Sequence, residues 1–80
     1  MADVRQMKGR VDTAIKKADT EAILSATFYD DVSEWMYVTI VKGSRKTSVT
    51  LRASDFADGG KAVDRLVKAA AERLSHTPIG

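Results

Sequence analysis

The sequence predicts an α+β fold, a two-layer αβββα arrangement in which two helices lie on one face of a three-stranded antiparallel meander. Three observations predict it. Apolar residues recur every three or four positions near both ends of the chain, and the middle is rich in β-branched and aromatic residues broken by turn-forming clusters. The turn between the last two of these middle segments also sets a register that sorts apolar and polar side chains onto opposite faces.

Near the start of the chain, Val4, Met7, Val11, Ala14, Ile15 and Ala18 line one side of a helix over about residues 3–18. Its other face mixes Arg5, Lys8, Arg10, Lys16 and Lys17 with Asp12 and Asp19. Gly9 inside it costs about 1 kcal/mol relative to Ala, so this helix depends on packing.

Strands are expected over about residues 23–29, 35–42 and 45–53. Gly43-Ser44 suits a two-residue type II′ turn, which pairs Lys42 with Arg45. Extending that ladder sets Ile40 opposite Thr47, Val38 opposite Val49 and Met36 opposite Leu51 on one face. The other face receives Thr39 with Ser48, Tyr37 with Thr50 and Trp35 with Arg52. A five-residue loop over 30–34 then pairs Phe28 with Met36, Ala26 with Val38 and Leu24 with Ile40, adding the first strand to the same apolar face.

A second helix is expected over about residues 60–75, with Val63, Leu66, Val67, Ala70 and Leu74 inward. Arg73 and His76 sit near its negative end, and Pro78 cannot continue it. Both helices must cover the apolar sheet face of Leu24, Phe28, Met36, Val38, Ile40, Val49 and Leu51, which leaves the opposite face open.

A chain of 80 residues has room for one domain, spanning 1–80. It buries roughly 60% of its unfolded surface, and most of its apolar residues go into one core. A ligand is therefore expected on a surface, without a deep interdomain cleft. The formal charge is +2, with 13 Lys+Arg interleaved among 11 Asp+Glu, so charge alone singles out no nucleic-acid face. The absence of cysteine excludes disulfides, thiolate metal sites and cysteine nucleophiles. The chain begins without an apolar signal segment, and no stretch approaches the ~20 apolar residues of a membrane helix. A cytoplasmic protein with no membrane partner is the expectation.

The open face is the most informative feature. The register sets Tyr29 opposite Trp35, with Tyr37 diagonal to both and Arg52 beside Trp35, while Arg45 and Lys46 give a basic rim. Aromatics flanked by Arg stack nucleobases at ~1–3 kcal/mol per base. They serve equally as anchors for a protein partner or for a second copy of the chain. Cross-strand aromatic pairs also stiffen a sheet that has no partner at all.

Other features carry less. Asp30, Asp31 and Glu34 crowd one loop and form an acidic contact surface for a basic partner, which Asp55 and Asp58 extend if their loop lies at the same end of the sheet. They lack the spacing of a calcium loop, and no metal or other cofactor is expected. Asp58-Gly59-Gly60-Lys61 lacks the phosphate-loop spacing and reads as a helix start. The serines at 25, 33, 44, 48, 54 and 75 have no nucleophile motif, and His76 is the only imidazole. No catalytic residue is expected and the chain does not read as an enzyme.

The order helix, three strands, helix resembles the double-stranded-RNA-binding domain. The stretch from Trp35 to Leu74, with Lys61-Ala62-Val63-Asp64-Arg65-Leu66-Val67-Lys68-Ala69-Ala70-Ala71 near its end, is similar to the second half of that family. The resemblance implies duplex contacts from the first strand-to-strand loop and from a lysine cluster at the start of the second helix. Those places hold Asp30-Asp31-Val32-Ser33-Glu34 and Asp58-Gly59-Gly60-Lys61 here, so Lys61 alone carries over. In size, lack of cysteine and catalytic emptiness the chain is also similar to the small single-domain inhibitors of phages and other mobile elements, including anti-CRISPR proteins. The expected function is non-catalytic macromolecular binding by an accessory or inhibitory protein that contacts a protein or nucleoprotein assembly. Direct nucleic-acid binding by the aromatic-basic face is the alternative.

Overall fold

Asp3 starts the first helix because its carboxylate accepts the otherwise orphaned amides of Arg5 and Gln6, at 3.0 and 3.3 Å. The computed structural model of the protein describes residues 3–75, and within them the element order is α1 (Val4–Ala18), β1 (Ile23–Asp30), β2 (Trp35–Lys42), β3 (Arg45–Arg52) and α2 (Lys61–Ser75). Short 3-10 turns at Ala53–Phe56 and Asp58–Gly60 join β3 to α2. His76 and Pro78, expected to cap and stop the second helix, lie outside the described residues.

The fold is α+β as expected: a meander in the order β1-β2-β3, with both helices packed on the sheet and on each other. One core joins Met7, Val11, Ala14 and Ile15 of α1 to Met36, Val38 and Ile40 of β2, Val49 and Leu51 of β3, and Val63, Val67, Ala70 and Leu74 of α2. No polar or charged residue is buried among the described residues, so the interior is held by apolar burial at about 25 cal/mol per Å².

The β2–β3 ladder has the expected register from Lys42↔Arg45 to Trp35↔Arg52. Gly43 takes φ 62 at the first turn position, where a side chain would be strained.

The β1–β2 pairing departs from expectation. Leu24 pairs with Ile40 as the alternation demands, but Ser25 is an extra, bulged residue, after which Ala26 pairs with Thr39, Phe28 with Tyr37 and Tyr29 with Met36. Two constraints meet in this strand. Asp30 closes a four-residue loop over 31–34, with its Oδ1 accepting from the Val32 and Ser33 amides at 3.0 and 3.5 Å and its carbonyl accepting from Glu34 N at 2.7 Å. That loop aligns Asp30 with Trp35, one residue out of step with Leu24↔Ile40, and the bulge reconciles the two. Phe28, expected inside, is therefore 65% exposed, while Tyr29, expected outside, packs against the core.

Charged side chains fasten the helices to each other and to the sheet. The Arg10 guanidinium donates to the Gly59 carbonyl at 3.1 Å and to Asp64 Oδ2 at 2.8 Å, tying α1 to the start of α2. Gly60, with φ 76, passes so close that a Cβ there would lie 2.9 Å from Arg10 Nε. Lys42 Nζ donates to Asp19 Oδ2 at 2.6 Å, linking the end of α1 to the end of β2. The Arg10 guanidinium holds the Asp64 carboxyl below the usual carboxylate range against the opposing effect of burial. Lys42, helped by the Glu21 amide, does the same for Asp19.

Val38→Asp should unfold the domain, because an unpaired charge at the centre of its one core costs more than about 3 kcal/mol, whereas Thr50→Asp on the exposed side should cost about 1 kcal/mol or less. Thermal melts compare the two directly, and equal stability would contradict the register. A second expectation concerns pH. Asp19 and Asp64 titrate lower in the folded chain than in the unfolded one, so their contribution is complete above about pH 4 and is lost as the pH falls through their folded values. The melting temperature should hold steady from neutral pH to about 5 and drop below about 4. Asp64→Asn should start lower at neutral pH and fall less on acidification.

Candidate functional site: the open face of the sheet

The helices cover one face of the sheet, and the other carries three aromatic side chains side by side. Phe28 of β1 stacks on Tyr37 of β2, with ring centroids 6.1 Å apart and planes 26° from parallel. The Arg52 guanidinium of β3 lies 4.5 Å from the centroid of the Trp35 ring on β2, in cation–π contact. Phe28 and Tyr37 are 65% and 45% exposed and Ile23 on the same face is 55% exposed, so the patch offers large apolar area to solvent.

Trp35, Tyr37 and Arg52 thus come together as the sequence implied. Tyr29 does not join them. The Ser25 bulge turns its ring toward the core beside Met36, and Phe28 takes its place on the open face. Burial, with Glu34, Asp31 and Asp30 nearby, pushes the Tyr29 hydroxyl above its ordinary pKa. Asp30 carries only part of the signal for Phe28: an aspartate three residues before Ser33 closes a tight turn on itself and sets the strand end one residue later than a five-residue loop, but nothing in the sequence marks the bulge that reconciles this end with Leu24.

Arg45 is not on the rim of the open face. The two-residue turn pairs it with Lys42, on the helix side, and its Nη1 donates to the Leu74 carbonyl at 2.8 Å near the end of α2. It brings a further cation to the helix's negative end, where Arg73 stands in the last turn as expected. Arg73 also donates to the Ser48 carbonyl of β3 at 3.1 Å. Lys46 pairs with Val41 and remains exposed at the far end of the open face.

The acidic loop forms the near end of the same face. Asp31, Val32, Ser33 and Glu34 are exposed, and the Asp30 carboxylate is held below the ordinary range by the Ser33 hydroxyl and the Val32 amide. Ala53 N donates to the Glu34 carbonyl at 3.1 Å, so the 53–56 turn stands at this end too. Asp55 there accepts the Arg52 amide at 2.7 Å, and Asp58 lies instead in the 58–60 turn that leads into α2. Lys61 opens α2 as an exposed residue.

An open cleft of about 510 Å³ lies between the start of α1 and the 53–57 segment, with Met7 and Phe56 among its walls. Its charged groups are committed elsewhere: Arg10 to Gly59 and Asp64, and Asp3 to the amides of α1. The sheet face, where Arg52 forms no ion pair with any described residue, has recognition groups to spare. Among the described residues no helix is long and apolar enough to cross a membrane, and no His/Cys/Asp/Glu group could hold a metal ion. Comparison with protein-family models, with curated proteins and with solved structures finds no match for this chain.

Glu34 sits at φ 61, a left-handed conformation that strains a residue with a Cβ. Glu34→Gly should therefore raise stability by about 0.5–1 kcal/mol after the entropy cost of glycine is counted. Urea denaturation measures this, and a loss of stability would show that the Glu34 side chain braces the loop.

Proposed function

We propose that the protein is a non-catalytic docking domain, an accessory or inhibitory protein of the cytoplasm that contacts a protein or nucleoprotein assembly through its open sheet face. One observation carries the reading: Phe28 and Tyr37 stand stacked in solvent next to the Arg52–Trp35 pair. Aromatic and Arg side chains on a rigid sheet lose little conformational entropy when covered, which is why such residues dominate binding energy at protein interfaces. The acidic loop at one end and Lys46 at the other supply charges of both signs for orienting a partner.

Direct binding of single-stranded nucleic acid is a second reading, favoured by the exposed rings and the guanidinium beside them. Against it, Arg10, Lys42, Arg45 and Arg73 are committed to Asp64, Asp19, the Leu74 carbonyl and the Ser48 carbonyl, which leaves Arg52 and Lys46 as the bases of this face. Titration of labelled single- and double-stranded nucleic acid at two salt concentrations separates the two readings, because phosphate contacts weaken steeply with salt.

Trp35→Ala and Phe28→Ala should each weaken binding to a partner captured from the native host by about 30-fold while the circular dichroism stays native. Lys46→Ala should act mainly on the association rate at low salt. Quantitative mass spectrometry of the captured proteins reads the loss. Should charge reversal at Asp31 and Glu34 abolish capture while Phe28→Ala leaves it intact, the acidic loop is the docking surface and the sheet face is not.

A further inference from the structure

We propose that a second copy of this chain occupies the open sheet face, in a twofold face-to-face pair whose axis runs along β2. The proposal rests on the docking reading above and names the occupant of that face.

The face is a grid of cross-strand rows. Asp30, Trp35 and Arg52 form one row, acid, aromatic and base, and Phe28, Tyr37 and Thr50 form the next. A twofold axis parallel to β2 turns every row end for end, so that β1 of one copy lies over β3 of the other at the same height. Asp30 of each copy then meets Arg52 of the other, and each Phe28 lies over a Thr50. An axis across the strands would instead set Arg52 against Lys46, like charge on like, so the charges select the first arrangement.

The guanidinium suits this role. It lies 4.5 Å from the Trp35 ring centroid, and no carboxylate among the described residues is paired with it, so its donors are available to a carboxylate arriving from above. Edge-to-edge association is disfavoured by the structure: the Ser25 bulge interrupts β1, and Arg73 of α2 occupies the Ser48 carbonyl on β3. Three strands about 4.8 Å apart and about 27 Å long give a footprint of about 400 Å² per copy. With side-chain relief, two such faces reach about 1,000–1,200 Å², the low end of stable interfaces, as befits a dimer that forms with rising concentration. Another macromolecule docking on this face then competes with the second copy.

Sedimentation velocity from about 5 to about 500 µM tests the proposal, with a monomer–dimer transition expected in that range. Arg52→Glu and Asp30→Lys should each shift dimerisation at least tenfold toward monomer, since either change sets like charges together at both contacts. An equimolar mixture of the two variants should dimerise, because the mixed pair restores opposite charges at both. Where Asp30→Lys disturbs the turn that Asp30 closes, Phe28→Ser is the substitute, expected to be monomeric with an unchanged melting temperature. A wild-type chain that stays monomeric throughout overturns the proposal. So does a wild-type dimer accompanied by a mixture of two folded charge variants that stays monomeric, or one that Phe28→Ser leaves intact. If the wild type is monomeric but Phe28→Ser loses a captured partner, only the second copy is excluded. If Phe28→Ser keeps that partner, the docking reading falls with it.

Discussion

Two helices can cover one face of this sheet and no more. Each helix of 15 residues is about 22 Å long and about 10 Å wide, against a sheet about 14 Å across and about 27 Å along its strands. With both helices on one side, the core closes over Met36, Val38, Ile40, Val49 and Leu51, and nothing in the described chain is left to cover the reverse. The open face that carries Phe28, Tyr37, Trp35 and Arg52 is the consequence. An uncovered sheet face can be lined with Ser and Thr, as β3 is at Ser48 and Thr50. The aromatics on β1 and β2 are therefore the feature that needs a functional account.

The basic residues illustrate how misleading a charge count can be. Arg10 reaches the carbonyls and carboxylate at the start of α2, Lys42 clasps Asp19, Arg45 meets the last turn of α2, and Arg73 reaches back to β3. These contacts are partly exposed and each contributes modestly. Together they fix how the helices sit on the sheet. They also take most of the sheet-side cations out of play, and what remains on the open face is a balanced set: Arg52 and Lys46 against Asp30 and its loop. A balanced face suits a protein partner or a second copy better than a polyanion.

The strand edges point the same way. β1 and β3 are both edges, and exposed edges invite unwanted pairing. The bulge at Ser25 and the Arg73 contact at Ser48 break the regular run of donors and acceptors on each. With edges blunted and the inner face filled, the outer face is the part of the sheet left open to solvent.

The sequence by itself determined the element order, the β2–β3 register, the juxtaposition of Trp35, Tyr37 and Arg52, and the inner face of each helix except at the ends of α1, where Val4 and Ala18, expected inside, are exposed. These depend on local periodicity and on one two-residue turn, and neighbouring residues suffice to set them. Tertiary structure alone decided which β1 aromatic faces solvent, because that follows from a conflict between two distant demands: Leu24 must point inward at one end of the strand while Asp30 closes its turn at the other. The residue that resolves it, Ser25, has no side-chain signature of a bulge. The place of Arg45 was equally beyond local reasoning, since its partner, the Leu74 carbonyl, lies 29 residues away and is brought near only when α2 packs on β3. Periodicity along a chain states which face a residue prefers, and only packing between elements states what waits for it there.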